Sequence, residues 1–161
     1  MSLINLEQAW AIIAQSVAQL PSETVALGGA AGRVLAAPVT ACFDSPRTAV
    51  STMDGYALRD GDGDVLRLVG TSAAGSKFHG TIGAGEAVRI FTGAALPDGA
   101  TRVVMQENVT ADGDRITIYQ ASAATFVRHR ASDFATGDIV VAAGSLLTPG
   151  ALVAAAGTGV S

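Results

Sequence analysis

The first third of the chain ends in the stretch Ser51-Thr52-Met53-Asp54-Gly55-Tyr56-Ala57-Leu58. Gly55 suits a turn in which a residue with a side chain would be strained. Tyr56 and Leu58 begin an alternation of period two, which predicts a strand. Asp54 is therefore expected where a loop enters a sheet, held by rigid backbone and open to solvent or a ligand. An isolated Asp-Gly pair is more often an ordinary turn, so both interpretations stay open for this stretch alone.

The segment that follows, from Tyr56 to about Phe126, has a β pattern throughout. Runs rich in branched residues alternate with Gly, Asp and Ser turns, at 65–69, 87–91, 102–106 and 115–119. Asp112-Gly113-Asp114 lies between apolar residues and predicts a hairpin. Short strands at this spacing are typical of a small barrel or sandwich. Residues 126–146 return to an extended pattern, with a turn at Gly137-Asp138.

The two ends of the chain predict helices. Residues 5–20 carry apolar residues at steps of three and four, namely Leu6, Ala9, Trp10, Ile13, Val17 and Leu20. Asn5 can cap this helix, with Gln8 in the capping-box position, and Pro21 ends the pattern. Such a face must pack on something. Thr148-Pro149 opens a last helix that ends at Gly157, and we expect the following residues to begin a linker into a further domain.

Composition limits the classes of function. The chain has 161 residues, of which 49% are apolar and 15% charged, so it can bury a core. Its formal charge of −4 argues against broad nucleic-acid binding, which needs a basic surface. No run of about eighteen apolar residues occurs, and the start lacks a signal-peptide pattern, so we expect neither a membrane span nor secretion. The single cysteine, Cys42, fits a reducing cytoplasm and is expected to be a packed thiol.

Three further clusters could carry chemistry. Thr92 to Ala100 combines a hydroxyl with small residues after a strand, which suits either an anion or a wide turn. Glu107 is a carboxylate at a strand end, where a solvated terminus is the plainer interpretation. Arg128-His129-Arg130 could bind an oxyanion or pair with local carboxylates. His79 lacks metal-ligand spacing to any other candidate, so we expect no zinc site.

These stretches resemble one known family when taken in order. Ser51–Ala57 resembles the S-x-M-D-G-Y-A motif of the molybdopterin molybdenumtransferases, the MoeA and gephyrin E-domain family. Arg89–Ala100 is similar to that family's R-I-x-T-G-A-x-x-P-x-G-A, and Val103–Glu107 fits its V-V-x-x-E. Gly32–Ala36 resembles its G-R-V-L-A, and Arg128–Gly137 its R-x-x-G-x-D-x-x-x-G. The match runs from about residue 5 to the end of the chain.

The resemblance implies an α+β, predominantly β fold. An elongated mixed module with an N-terminal helix would comprise 1–55 and 128–161, and a small barrel-like β lid would occupy 56–127. The proteins resembled are cytoplasmic dimers that use Mg²⁺ to insert molybdate into adenylylated molybdopterin, releasing AMP. Their site is completed by a nucleotide-fold domain of the partner subunit, so this region alone would be inactive. The alternative is a non-catalytic dimerisation or scaffold module of a divergent paralogue.

By position, the resemblance makes Asp54 the functional carboxylate, which would position magnesium or hold a water near the adenylate phosphate. Thr92 would donate its hydroxyl to substrate or oxyanion. Ser51 and Glu107 are supporting substrate-binding candidates.

The resemblance also implies that Arg128 and Arg130 attract the anionic substrate, although they could instead support the lid hinge. The sequence departs from the family nearby. Residues 47–51 lack an acid and an amide of the family's Pro-Phe-Asp-Asn-Ser, and Thr101 replaces an aspartate. Ala131-Ser132-Asp133 stands where the family has Gly-Glu-Asp, so backbone freedom and one carboxylate are lost. These departures favour the paralogue alternative slightly.

Overall fold

The computed structural model describes residues 4–160 and consists mostly of strands, with two α-helices. The helices are α1, Leu6–Ser16, and α2, Pro149–Gly157. The strands are β1 Val39–Thr40, β2 Val50–Ser51, β3 Gly55–Leu58, β4 Val65–Ser72, β5 Glu86–Ile90, β6 Arg102–Met105, β7 Val109–Asp112, β8 Arg115–Ile118, β9 Val127–Arg128 and β10 Ile139–Val141. The predicted class, α+β with β predominant, is confirmed.

The central sheet has six strands in the order β6-β3-β5-β4-β8-β7 and curls into a half barrel. β4 and β5 run parallel, whereas the other neighbouring strands are antiparallel. The predicted hairpin is confirmed, because Asp112 and Arg115 are register partners and Gly113 turns the chain between them with a φ of 59°. The barrel-like insert is therefore an open, curled sheet.

All four residues of β3 are buried, so this strand lies within the core rather than at a surface. Tyr56 and Leu58 pack into one cluster, with Leu66, Ala87, Val104, Ile116 and Ile118. Ala57 points to the other face and packs with Ile90, Ala94 and Val103. Because alternate residues of a strand face opposite sides, both faces of the sheet are covered at this point. The loop that precedes β3 is thus attached to a strand whose four residues are all buried.

Two short ladders join the early and late parts of the chain. β1 pairs with β10, and β2 pairs with β9, both antiparallel. A third cluster of buried residues combines Ala30 with Val141, Leu147 and Ala155. The division into 1–55 plus 128–161 and 56–127 stays a prediction.

Helix α1 begins as predicted but ends early. The Asn5 side-chain oxygen accepts a hydrogen bond from the Gln8 backbone amide at 2.8 Å, and the Asn5 backbone amide donates to the Gln8 side-chain oxygen at 3.0 Å. The helix ends at Ser16 rather than at residue 20. None of the α1 residues is buried, and Trp10 is 63% exposed. Without tertiary packing a last turn has little to stabilise it, which explains the shorter helix.

Two other expectations need correction. The strand-like pattern of residues 34–43, which is interrupted by Pro38, predicts an extended segment. The structure has only the two-residue strand β1 there and an isolated bridge from Val34 to Leu146. Cys42 is exposed, so the prediction of a packed thiol is wrong. Ala41 takes the buried position directly after β1, and Cys42 follows it in a bend.

Within the described range of the chain, neither helix is long and apolar enough to cross a bilayer.

Candidate functional site

Asp54 lies in the loop between β2 and β3 and is held through one of its two carboxylate oxygens. Its Oδ1 accepts hydrogen bonds from the Thr92 backbone N–H at 2.7 Å and from the Thr92 hydroxyl at 2.8 Å. The Asp54 carbonyl accepts a further bond from the Gln106 amide at 3.1 Å. Oδ2 has no hydrogen-bond partner among residues 4–160, and the side chain is half-buried. The carboxylate is therefore fixed at one oxygen and presents the other.

The same contacts keep this carboxylate ionised. The Thr92 backbone N–H lowers the pKa of Asp54 most, followed by the Thr92 hydroxyl, and the positive charge of Arg89 adds to the effect. Slight burial acts in the opposite direction without cancelling them. An ionised carboxylate is purely an acceptor and a hard oxygen ligand. At neutral pH Asp54 can accept from a water or coordinate a cation.

Thr92 directs both of its donors to Asp54. It follows β5, and the next residue, Gly93, has a φ of 79° and donates its amide to the Ser51 carbonyl at 2.8 Å. Gly93 therefore supplies the left-handed turn that returns the loop to β2. Donation from the Thr92 hydroxyl to a substrate stays a prediction. In this structure that hydroxyl donates to Asp54 and keeps its lone pairs as acceptors.

Gly55 is required for a reason other than the turn strain expected from the sequence. Its φ is not positive, because it is already the first residue of β3. A Cβ at this position would lie 1.9 Å from the Val104 carbonyl oxygen of β6. Close approach of a neighbouring strand, rather than a left-handed conformation, therefore excludes a side chain here.

Ser51 shapes the loop from within. It is only 2% exposed, and its hydroxyl donates to the Met53 carbonyl at 2.6 Å while accepting from the Met53 amide at 3.3 Å. Its own amide donates to the Ala94 carbonyl at 3.0 Å. A contact between Ser51 and a substrate stays a prediction, and in this structure the hydroxyl is used inside the loop.

Glu107 lies near Asp54 because the preceding residue, Gln106, hydrogen-bonds the Asp54 backbone. It sits in a single 3-10 turn, Gln106–Asn108, directly after β6, and its side chain is exposed. The amide of Gln106 binds the Asp54 carbonyl, and its side-chain nitrogen donates to Glu107 Oε1 at 3.3 Å. The structure thus brings Asp54, Thr92 and the Gln106–Glu107 turn together. A substrate contact by Glu107 stays a prediction.

Arg128 and Arg130 each pair with a carboxylate close to β9. Arg128 forms an ion pair with Asp133, and Arg130 forms one with Asp44. The Arg128 hydrogen bond lowers the pKa of Asp133, which also accepts from the Ser45 hydroxyl at 3.1 Å. Pairing with local carboxylates is therefore the arrangement seen. Both arginine side chains remain largely exposed, 49% and 70%, and their substrate-binding role stays a prediction.

Arg89 was not among the predicted site residues, although it lies in one of the quoted motifs. Its guanidinium carbon lies 5.2 Å from the centre of the Tyr56 ring and 4.5 Å from that of Phe91. Its charge acts on Asp54. A signal was present in the sequence, since a lone arginine interrupts the apolar strand Ala87–Ile90. A charge in such a position needs a partner.

Few side chains in residues 4–160 are placed to bind a metal ion together. Across residues 4–160, no three His, Cys, Asp or Glu side chains converge as a ligand group. A free Asp54 oxygen would be a single protein ligand, which suits Mg²⁺ shared with substrate phosphates and waters better than a metal held by protein alone.

Residues 4–159 match the family model described as the MoeA N-terminal region, domains I and II. The chain belongs to this family. Among curated relatives, the molybdopterin molybdenumtransferase of Haemophilus influenzae is 34% identical over an alignment of 168 positions, which covers 99% of this chain and 41% of the relative. The Staphylococcus aureus protein of the same name is 32% identical over 158 residues, covering 92% of this chain and 38% of the relative.

Solved structures agree with this membership. The molybdopterin biosynthesis MoeA protein of Pyrococcus horikoshii superposes with a TM-score of 0.88 at 27% identity, over 99% of this chain and 45% of that one. A second structure of the Pyrococcus MoeA protein gives a TM-score of 0.82 at 28% identity. The resemblance found in the motifs is confirmed. The chain spans about two fifths of the length of the MoeA-family relatives it matches.

Proposed function

We propose that this chain is the N-terminal part of a molybdenum cofactor biosynthesis transferase, and that Asp54 is its functional carboxylate. The reaction would insert molybdate into adenylylated molybdopterin and release AMP. The observation that carries the proposal is the Asp54 carboxylate, which Thr92 fixes at Oδ1 while Oδ2 has no partner in residues 4–160. A carboxylate held in this way loses little freedom when it contacts a reacting group.

The roles of the residues follow from these contacts. Asp54 Oδ2 would accept a hydrogen bond from a water near the adenylate phosphate, or would supply one ligand to Mg²⁺. When bound there, Mg²⁺ would neutralise charge on the phosphate oxygens. Thr92 holds the carboxylate in place and offers its hydroxyl oxygen to substrate. Glu107 is exposed next to the same loop and would contact substrate.

Arg128 and Arg130 would draw the anionic substrate towards this wall of the site. Each uses part of its guanidinium on a carboxylate, but an arginine has five N–H donors, so donors remain for an anion. Ser51 would act indirectly, because its hydroxyl bonds to Met53 hold the conformation of the loop that carries Asp54. Neither arginine hydrogen-bonds Asp54 or Thr92; their partners are Asp133 and Asp44.

We infer that the complete site forms in a homodimer in the cytoplasm, with this chain inactive alone. Family membership supports the dimer, and so does the uncovered apolar face of α1, where Leu6 and Trp10 are 73% and 63% exposed. Measurement of the mass of the chain in solution tests the contact. A strict monomer at every concentration would assign the dimer contact to other parts of the protein.

The second candidate is a non-catalytic dimerisation or scaffold module of a divergent paralogue. The replacement of the family's acid and amide at 47–51, and of Gly-Glu by Ala131-Ser132, favours it. Both functions are compatible with the same fold.

One experiment separates the two candidates. The chain is mixed with the C-terminal portion of the Haemophilus influenzae relative, and molybdenum insertion is assayed with Asp54→Asn beside the exposed edge-strand control Asp112→Asn. We expect activity in the mixture that Asp54→Asn abolishes and Asp112→Asn retains. Full activity in Asp54→Asn contradicts the role of Asp54. Absence of activity in every mixture, with a stable complex formed, supports the scaffold module.

A further inference from the structure

The Arg89 side chain crosses from β5 to the loop that carries Asp54. Its Nη1 donates to the Gly55 carbonyl at 2.6 Å and to the Ile90 carbonyl at 3.1 Å. Gly55 is the residue directly after Asp54. One nitrogen of Arg89 therefore fixes the carbonyl on the C-terminal side of the functional carboxylate.

The other end of the guanidinium reaches the turn after β6. Arg89 Nη2 donates to the side-chain oxygen of Gln106. Gln106 in turn donates its backbone amide to the Asp54 carbonyl at 3.1 Å. The connection is closed, because Gln106 binds the Asp54 carbonyl, Arg89 binds the Gly55 carbonyl, and Arg89 also binds Gln106.

The position of Arg89 is itself fixed. Arg89 is the register partner of Tyr56 in the β3–β5 ladder, and its guanidinium carbon lies near the rings of Tyr56 and Phe91. Cation–π contacts on two rings restrict a side chain that otherwise has many rotamers. The planar fork of an arginine can reach two acceptors at once, whereas a lysine ammonium is a single point of contact.

We propose that Arg89 is a positioning residue, which acts with Gln106 to hold the Asp54–Gly55 backbone so that Thr92 can bind Oδ1 and leave Oδ2 facing a ligand. This inference rests on the proposed function of Asp54. Arg89 does not itself need to contact substrate. Four hydrogen bonds reach the Asp54–Gly55 segment from three residues: Arg89 on β5, Thr92 in the loop after β5 and Gln106 in the turn after β6.

The first test uses the chain as it is and requires no activity. The backbone amide of Thr92 donates to Asp54 Oδ1, so its proton resonance reports on the position of that carboxylate. We expect Arg89→Met to move the Thr92 amide resonance upfield and to speed its hydrogen exchange about tenfold. The control is Arg115→Met on β8, which lies three strands from β3, about 14 Å along the sheet, and should leave Thr92 unchanged.

A second pair of variants distinguishes a local change at Thr92 from a general loss of the fold. Gln106→Met removes the acceptor for Arg89, together with the exposed donor to Glu107, and keeps the backbone amide that binds Asp54. We therefore expect the same change at Thr92 with an unchanged melting temperature. Gln106→Glu keeps an acceptor and should restore the Thr92 resonance. A Thr92 amide that is identical in the wild-type chain, Arg89→Met and Gln106→Met overturns the proposal, whatever the activity. So does a Gln106→Glu variant that behaves like Gln106→Met.

The second test uses the assembled enzyme of the complementation assay. Misplacement of a catalytic group lowers turnover, so we expect Gln106→Met to reduce kcat about 100-fold while KM changes less than about threefold. An unchanged kcat, together with a shifted Thr92 resonance, contradicts the proposed function of Asp54 but not the position that Arg89 maintains. An unchanged Thr92 resonance contradicts the positioning role alone.

Discussion

Two aspartates of this chain have the same local arrangement and different surroundings. Asp54 Oδ1 accepts from the Thr92 amide and hydroxyl at 2.7 and 2.8 Å. Asp44 Oδ1 accepts from the Thr136 amide and hydroxyl at 2.8 and 2.9 Å. In both cases a threonine distant in sequence binds one carboxylate oxygen through two donors. The difference lies entirely at the second oxygen.

Asp44 Oδ2 is bound by Arg130, whereas Asp54 Oδ2 has no partner within residues 4–160. The Asp44 carboxylate is nearly covered, at 11% exposure of its side chain. It links the segment before β2 to the segment after β9. The same two-bond motif thus joins two parts of the fold in one place and presents a free oxygen in the other. A carboxylate is a candidate for chemistry because of its unused oxygen, not because it is well held.

The largest predicted effect comes from a substitution, Gly55→Ala, that disrupts the strand next to Asp54 and does not change the surroundings of Asp44. Gly55→Ala would place a Cβ 1.9 Å from the Val104 carbonyl oxygen, so β3 and β6 must separate. We expect a loss of about 3 kcal/mol or more in the free energy of unfolding. Urea denaturation measures it. Gly63→Ala is the matched control, because nothing lies within 4 Å of its added carbon, and an equal loss there would contradict the account.

The second prediction exchanges the two aspartates for asparagine in the complementation assay. Asp54→Asn should reduce molybdenum insertion about 100-fold or more and change the melting temperature little. Asp44→Asn should retain activity within about threefold and lower the melting temperature by a few degrees, because Arg130 loses its partner. If Asp44→Asn abolishes activity in a folded protein, the contrast between the two sites is wrong.

The third prediction concerns the ion-pair region after β9. Ala131 has a φ of 59°, the left-handed conformation in which the family's motif has glycine. The loss of backbone freedom expected from the sequence therefore has a cost, since a non-glycine residue is strained there by about 1 kcal/mol. Ala131→Gly should raise the free energy of unfolding by about that amount, as measured in urea. A decrease would show that the strain is relieved by other contacts.

The sequence predicted the elements whose signals are local. The Asn5–Gln8 capping box, the Gly113 hairpin and the Thr148-Pro149 helix start all depend on residues within a few positions of one another. The place of Asp54 at the entry to a sheet was also local. The family motifs then identified the relatives, because several motifs in one order are far more specific than each alone.

Features that depend on distant residues could not be predicted. Gly55 is required because of Val104 on another strand, and Arg89 reaches Gln106 only through the β3–β5–β6 register. The exposure of Cys42 depended on which side of a short segment faces the core. Whether an aspartate such as Asp44 forms an ion pair with an arginine likewise depends on the fold.

The smallest predicted effect concerns pH. The Thr92 amide and hydroxyl lower the pKa of Asp54, and the Thr136 amide and then Arg130 lower that of Asp44. A carboxylate with a lowered pKa in the folded state stabilises the fold above its unfolded pKa, near 4, and this contribution is lost as pH falls through the folded pKa. Stability should therefore decline below about pH 4.

Hydroxyl removal distinguishes the two sites within that range. Thr92→Val should raise the pKa of Asp54 towards its ordinary value, so its stabilising contribution is lost at a higher pH than in the wild-type chain. Thr136→Val should leave the pKa of Asp44 further below its ordinary value than that of Asp54 in Thr92→Val, because Asp44 keeps its hydrogen bond from Arg130. Carboxyl carbon NMR titration from pH 7 to pH 2 measures both. If Asp44 in Thr136→Val has a pKa closer to the ordinary value than Asp54 in Thr92→Val, the importance of Arg130 is contradicted.

The most direct test of an open oxygen on Asp54 is a titration of the chain with Mn²⁺, a paramagnetic hard cation that prefers carboxylate oxygen as Mg²⁺ does. We predict that amide resonances of Asp54, Gly55 and Thr92 broaden first, that those of Asp44 and Thr136 do not, and that Asp54→Asn removes the effect. Broadening centred on Asp44, or broadening of the Asp54 loop that persists in Asp54→Asn, would contradict the account.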